Sequence, residues 1–341
     1  TPKNQCIVLA TKDLSHKQQT DIQKQIDNHF SEIEEDFSFI FKCFSSEYDM
    51  LYTFLYKFVR NMPMMTGWNY IRFDWKYIIN RARKIGINPA IASPIDKLFG
   101  RDELPCHVGV MDYLEIYSKW DRTVDIKEDL KLDTAGKDVV GIKKVKYQGT
   151  IQDMFEKDYQ KYVFYNAIDT ALVNLIHDKI KTLELALTIS HMSQISIFKC
   201  SSPVAITGSL LANEFLNQNK VLATDYDKPK PKREPFEGAF VKKPTIGMHN
   251  AVAAFDFASL YPSIMRQLNV SPESFIKKVD PKNKEAEESP DTIVSVTGAV
   301  YSTKQSILKT VLSDLYGKRR VYKKKSFELQ QKAYDLEQEL K

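Results

Sequence analysis

The chain has 341 residues, 43% hydrophobic and 27% charged, a balance that suits a globular protein with material for more than one buried core. No apolar run reaches the length of a membrane span and no secretory pattern opens the chain, which excludes a helical membrane protein and assigns the molecule to the cytoplasm, that of a host cell if the source is viral. A net charge of +5 makes the placement of basic residues more informative than their sum, and four scattered cysteines (Cys6, Cys43, Cys106, Cys200) without a C-x-x-C pair exclude a disulfide framework or a cysteine zinc site.

In chain order, Gln5 to Ala10 and Phe37 to Phe44 read as strands, Asp49 to Val59 as a helix and Met64 to Trp68 as a third short strand. The helical spacing of Trp75, Ile78, Ile79 and Ala82 predicts a helix over Asp74 to Lys84. Asp112 to Trp120 and a polar stretch from Asp121 to Lys146 follow, then two helices over Ile151 to Thr170 and Ala171 to Leu187. This alternation predicts a mixed α/β first domain. Ser201 to Gln218 reads as a further helix, and the Lys-Pro-rich stretch from Asp225 to Pro235 as a linker or surface loop. Gly238 to Val241 and Ala251 to Phe257 read as strands of a second sheet, Asp280 to Pro290 as an exposed polar loop and Val294 to Tyr301 as a hairpin turning at Gly298. A long helical pattern occupies Ser306 to Lys341, and no internal repeat is visible. The chain opens at Thr1 and closes inside that helical pattern, which reads as a piece of a longer protein.

Three carboxylates stand where phosphoryl-transfer chemistry would need them. Asp256 ends the apolar run Ala251 to Phe255 just before a turn and a new helix, a layout that lets one carboxylate hold Mg²⁺ while the backbone around Phe257, Ser259 and Leu260 cradles a triphosphate. Tyr261 follows beside the expected sugar, and Pro262 suits the first turn of a helix. Asp74 lies after a strand in Thr66 to Asp74, and Tyr165 precedes Asp169 by four residues on one helical face. Two-metal hydrolysis needs carboxylates converging on ions about 3.5–4 Å apart and a group that orients water. Taken singly, Asp74 reads rather as a helix N-cap, and Tyr165 with Asp169 as a helix-surface pair.

The wording Asp256-Phe257-Ala258-Ser259-Leu260-Tyr261-Pro262-Ser263-Ile264 resembles the D-x-x-S-L-Y-P-S-I motif of family B DNA polymerases, and Arg266 to Glu273 narrows the resemblance to replicative enzymes of T-even-like bacteriophages. Thr66 to Asp74 and Tyr165 to Asp169 resemble the second and third motifs of the family's proofreading exonuclease, in the family's order. The resemblance implies that Asp256 is a palm metal ligand and catalytic residue. It implies that Asp74 and Asp169 are catalytic exonuclease metal ligands, and that Tyr165 positions the attacking water. Tyr261 becomes a steric gate against a 2′-hydroxyl. Phe236-Glu237-Gly238-Ala239 resembles the family's Y-x-G-(G/A) element, which makes Gly238, Ala239 and Lys242 candidate DNA contacts beside Lys230, Lys232, Arg233 and Lys243; a solvated charge run is the alternative. Arg319 and Lys323 have the R-x-x-x-K spacing of a fingers helix that binds β- and γ-phosphates, and Arg320 with Lys324 fits the same spacing. Lys309 to Gly317 only faintly resembles the true nucleotide-binding fingers motif, because Ser313 and Asp314 replace its Asn-Ser.

The implied division is an RNase H-like exonuclease domain over residues 1–181, a segment of the N-terminal domain over 182–227, a first palm segment over 228–305 and the helical base of the fingers over 306–341. Two family elements do not occur here, a D-x-E motif ahead of the Gln5 strand and an Asp-Thr-Asp anywhere in the chain, so the chain alone is expected to lack polymerase activity. The implied function is part of a DNA-directed DNA polymerase with 3′-to-5′ exonuclease, using Mg²⁺, primer-template DNA and dNTPs, with a sliding clamp contacted through a C-terminal segment outside this chain. A non-catalytic DNA-binding or structural subunit is the alternative.

Overall fold

A computed structural model describes residues 4–33, 37–121, 129–147, 149–221, 238, 240–282 and 289–340. The chain divides into two compact units, Thr1–Ile206 and Thr207–Lys341.

In the first unit β1 (Asn4–Ala10) pairs in parallel with β2 (Phe37–Cys43), with α1 (His16–His29) between them in sequence. Ser15 opens α1 with a capping box closed by Gln18. Glu47–Thr53 forms α2, which loosens into a π-helical turn over Phe54–Phe58. β3 (Met64–Gly67) pairs in parallel with a later strand, and a second π-helical turn over Ile71–Trp75 leads into α3 (Lys76–Lys84). A short antiparallel hairpin of β4 (Leu98–Phe99) and β5 (Leu104–Pro105) precedes β6 (Gly109–Asp112), the partner of β3. Five helices follow: α4 (Tyr113–Trp120), α5 (Leu132–Val140), α6 (Ile151–Lys157), α7 (Tyr159–Ile180) and α8 (Thr182–Ser193). A ninth helix, α9 (Pro203–Asn217), runs across the boundary of the two units.

The strands expected near Gln5, Phe37 and Met64 are present, but the two helices expected after Ile151 are three. Asp158 interrupts the first by accepting the Lys161 amide at 3.1 Å, which caps α7, and Lys181 stops α7 in the left-handed conformation. α5 lies inside the stretch read as polar. It is held by Leu132 and Ala135, which pack against α7 residues in a cluster with Tyr113, Ile116 and Leu172. α7 itself is buried along two sides. Val163, Ala167, Ala171 and Leu175 face β1, β2 and α1, while Leu172, Val173 and Ile176 face α4, α5 and α8. A third cluster gathers Leu51, Leu55 and Val59 around Trp75 and Ile79.

In the second unit α10 (Leu260–Gln267) leads to an antiparallel sheet of β7 (Phe275–Lys278), β8 (Thr292–Val294) and β9 (Ala299–Ser302) in the order β7-β9-β8, followed by α11 (Ile307–Glu339). The expected hairpin is β8 and β9, turned by Gly298. The expected strands over Gly238 to Val241 and Ala251 to Phe257 are a correction. None of their described residues is in a strand, and Val252, Phe255 and Phe257 are exposed. The apolar β pattern is there, but among the described residues no backbone runs beside it to take its N–H and C=O groups. The linker stretch from Asp225 to Pro235, together with Phe236, Glu237 and Ala239, lies outside the described residues.

A buried polar clip joins α10, the sheet and α11. The Asn269 side chain donates to the Ser302 and Lys304 carbonyls at 2.6 and 2.7 Å and accepts from the Ser306 amide at 3.1 Å. Glu273 accepts from the Ile307 amide at 2.6 Å, and Ser306 caps α11 by accepting from the Lys309 amide at 3.2 Å. Ser306→Ala is therefore expected to lower the stability of this unit by about 1 kcal/mol, read as a lower urea midpoint with an unchanged slope.

Candidate active site

Asp74 sits on the π-helical turn after β3, and its position is fixed by a neighbour that spacing did not reveal. Asp112, buried at the end of β6, accepts from the Asn69 and Ile71 amides at 3.0 and 3.1 Å and from the Leu114 amide at 3.1 Å. It thereby caps α4 and pins the start of the turn, where Asn69 takes a φ of +60°. Trp75 points the opposite way into the core with 0% exposure, and its indole donates to the Glu103 carbonyl at 3.1 Å. Partial loss of solvent and the charge of Asp112 hold the Asp74 carboxyl above the ordinary carboxylate range. Burial does the same to Asp112, against the pull of its three amides.

Asp169 stands on α7 at the middle of the helix that is packed on both sides. Tyr165 lies beside it on the same face, as the four-residue spacing requires. Lys144, from the loop after α5, reaches the Asp169 Oδ2 at 2.6 Å and lies 5.7 Å from the centre of the Tyr165 ring. That loop is tied down by the Lys144 amide, which donates to Asp133 at 2.7 Å. Burial raises the Asp169 carboxyl above its usual range while the Lys144 ammonium pulls it down. The other oxygen, Oδ1, is buried with no hydrogen-bond partner among the described residues. It is an acceptor suited to a cation. Tyr165 and Asp169 are thus brought together, with Lys144 added. Asp74 answers to Asp112 instead, and among the described residues no group of three or more carboxylate, imidazole or thiolate side chains gathers where it could hold a metal ion.

In the second unit Asp256 is exposed, as are Phe257 and Tyr261. Ser259 turns the backbone into α10 with a left-handed φ of 53°, and Leu260 begins the helix. The Ser259 hydroxyl receives the Arg319 guanidinium at 3.4 Å, a bond that ties α11 to the turn. Lys323 lies one turn further along α11, 5.6 Å from the Phe327 ring centre, while Lys324 faces Glu328 at 3.9 Å. Of the two R-x-x-x-K registers, the one beginning at Arg319 reaches the turn. Ser313 and Tyr316, part of the faint fingers-like pattern, hold Arg266 of α10: its Nε donates to the Ser313 hydroxyl at 3.0 Å and its guanidinium stacks 5.0 Å from the Tyr316 ring centre. Gly238 and Lys242 are exposed, without regular structure.

Asp112, Lys144 and Arg266 act through contacts distant in sequence, which no local pattern announces. Only the bracket of Asp112 between an apolar strand and an amphipathic helix marks it as a cap.

Comparison with known proteins adds two family matches. Residues 193–340 match the model for DNA polymerase family B, and residues 1–105 match that for its exonuclease domain. Asp74 falls in the second match, Asp256 and Arg319 in the first, and Tyr165 and Asp169 between them. The chain is 31% identical over 305 residues to the DNA-directed DNA polymerase of Escherichia phage RB69, covering 83% of this chain and 33% of that one. It is 29% identical over 310 residues to the DNA-directed DNA polymerase of Enterobacteria phage T4, with coverages of 84% and 34%. The DNA polymerase catalytic subunit of Epstein-Barr virus (strain B95-8) is 29% identical over 317 residues, with coverages of 82% and 30%. The chain thus spans about a third of the length of the curated relatives it matches. Among the described residues no helix is long and apolar enough to cross a membrane.

Proposed function

The chain belongs to DNA polymerase family B, and from that we propose that it is the part of a replicative DNA-directed DNA polymerase that carries proofreading and one half of the nucleotidyl-transfer site. The parent reaction extends a primer on a template with dNTPs and removes mismatched 3′ ends. The observation that carries the polymerase half is the Arg319 contact to Ser259, which sets a cation over the turn that follows Asp256.

In this reading the amides around Phe257 and Leu260, with Ser259, hold the triphosphate, and Arg319 with Lys323 neutralises its outer phosphates. Tyr261 closes the space a 2′-hydroxyl would need. Gly238, Ala239 and Lys242 contact the template backbone. In the nuclease half Tyr165 orients the attacking water, and Lys144 favours the ionised form of Asp169 and aims it. The side chains that would hold Mg²⁺ are Asp74 and Asp169 in one site and Asp256 in the other; the unpartnered Oδ1 of Asp169 fits such an ion. When bound, the ion supplies charge neutralisation at the reacting phosphate and a more acidic water. Four domain assignments accompany this reading: an RNase H-like exonuclease over residues 1–181, N-terminal-domain sequence over 182–227, palm over 228–305 and fingers over 306–341. A sliding clamp as partner rests on family membership alone.

The test is to mix this chain with one bearing the Asp-Thr-Asp segment and follow primer extension. Extension that needs Asp256 is expected, and Tyr261→Ala should admit ribonucleotides in the same mixture. Extension that persists with Asp256→Asn, or unaltered ribonucleotide rejection, would contradict the assigned roles.

A further inference from the structure

Every residue from Gly317 to Leu340, the greater part of α11 and its cap, is exposed. A helix that stands in water on all sides is stable when it is polar all round, and this one is not. Tyr322, Ser326, Leu329, Ala333, Leu336 and Leu340 recur at alternating steps of four and three residues. That is the spacing of positions d and a of a heptad, the seam along which two helices wind together. The four apolar side chains of the seam other than Ala333 are all exposed. Lys324 and Glu328 pair within the helix, outside the seam. The charges that flank the seam are sorted along it: Lys323 and Lys325 stand near its start, Glu337 and Glu339 near its end.

This sorting selects both a partner and a direction. Against a second copy running the opposite way, the bulky side chains meet small ones, Leu329 facing Ala333 and Leu336 facing Ser326 of the second copy, while Tyr322 faces Leu340. The same register sets Lys323 against Glu337 and Lys325 against Glu339 of the second copy. Symmetry doubles both contacts, giving four opposite-charge pairs against one like pair, Lys332 with Lys332. A parallel pair would place Ala333 on Ala333 and Ser326 on Ser326. It would gain only the Lys332 to Glu337 contacts and set Lys318 against Lys323, two opposite pairs against two like ones.

We propose that the exposed seam of α11 binds a second copy of this chain as an antiparallel two-helix coiled coil. The inference stands on α11 alone and is independent of the nuclease and polymerase readings above.

Sedimentation equilibrium of the intact chain should show a monomer and a dimer in exchange, the dimer populated at about 0.1 mM chain. Lys323→Glu with Lys325→Glu, or Glu337→Lys with Glu339→Lys, turns all four attractive pairs between identical copies into like-charged ones. Each double variant alone should therefore associate at least about thirtyfold more weakly. Mixed in equal amounts, the two variants regain opposite charges at all four contacts and should associate as the parent does. That recovery also shows that a variant which fails alone has not merely unfolded. Lys332→Gln removes the one like pair and should tighten the parental dimer about twofold. A parent that sediments as a monomer at this concentration would overturn the proposal. So would a mixture no tighter than its components, or a Lys323→Glu, Lys325→Glu variant that dimerises as well as the parent, the result a parallel pair requires.

Discussion

Asp112→Ala is expected to cost the first unit about 3 kcal/mol, roughly 1 kcal/mol for each of three amides left without an acceptor. Because two of those amides, Asn69 and Ile71, begin the turn that carries Asp74, the same change should, on the proposed nuclease reading, remove most Mg²⁺-dependent digestion without touching a substrate. Hydrogen exchange locates the effect. The Asn69 and Ile71 amides should lose protection, while amides of β1 and β2 keep theirs. Asp112→Asn is the informative partner variant. It retains Oδ1, which serves Asn69 and Leu114, but replaces Oδ2 with an NH₂ that faces the Ile71 N–H, so it should recover part of the stability and less of the activity. Parental stability in the Ala variant would mean that the turn holds itself. Lost activity with full protection at Asn69 and Ile71 would mean that Asp112 acts on the reaction by another route than position.

Much of this architecture is legible in local pattern, and the exceptions share a cause. Alternation and β-branching locate β1, β2 and β3, and the long helical spacing locates α11, because each is set by contacts that recur every two to four residues. The break at Asp158 and the stop at Lys181 are set by single caps inside an unbroken apolar pattern, so periodicity runs through them. α5 is short, and one of its three buried residues, Gly136, carries no side chain, which hides its spacing. The run Ala251 to Phe257 fails in the opposite sense. Its side chains prefer a strand, but a strand exists only where another backbone pairs with it, and among the described residues none does. In the candidate sites, motif spacing brings out Asp74, Tyr165, Asp169, Asp256 and Arg319. The groups that orient them, Asp112, Lys144 and the Asn269 clip, arrive from 25 to 43 residues away in the first unit and 33 to 37 in the second, beyond any local pattern. The stretch Asn269 to Glu273 makes the point sharply. In sequence it serves only as a family signature, whereas in the structure it caps and places the helix that carries Arg319.

That dependence makes Gly298 a sensitive position of the second unit. Its φ of +81° is one that L side chains rarely adopt, and a Cβ there would lie 2.1 Å from the Val279 carbonyl oxygen. The obstacle is backbone and cannot rotate away. Val279 also donates its amide to the Gly298 carbonyl at 2.8 Å, so the two segments cannot separate without breaking the bond that joins the end of β7 to the hairpin turn. Gly298→Val should therefore cost about 4 kcal/mol, combining left-handed backbone strain in a β-branched residue with overpacking. Gly298→Ala should fall between it and the parent. β9 carries Ser302, one of the two carbonyls that hold the Asn269 side chain, so loss of the hairpin loosens the clip and the start of α11. Calorimetry of the intact chain should show the transition of the second unit lowered or absent while that of the first is unchanged. In the mixture proposed above as the test of primer extension, the Val variant should lose extension together with this transition. If both transitions match those of the parent, the turn tolerates a side chain, and the placement of Arg319 does not depend on it.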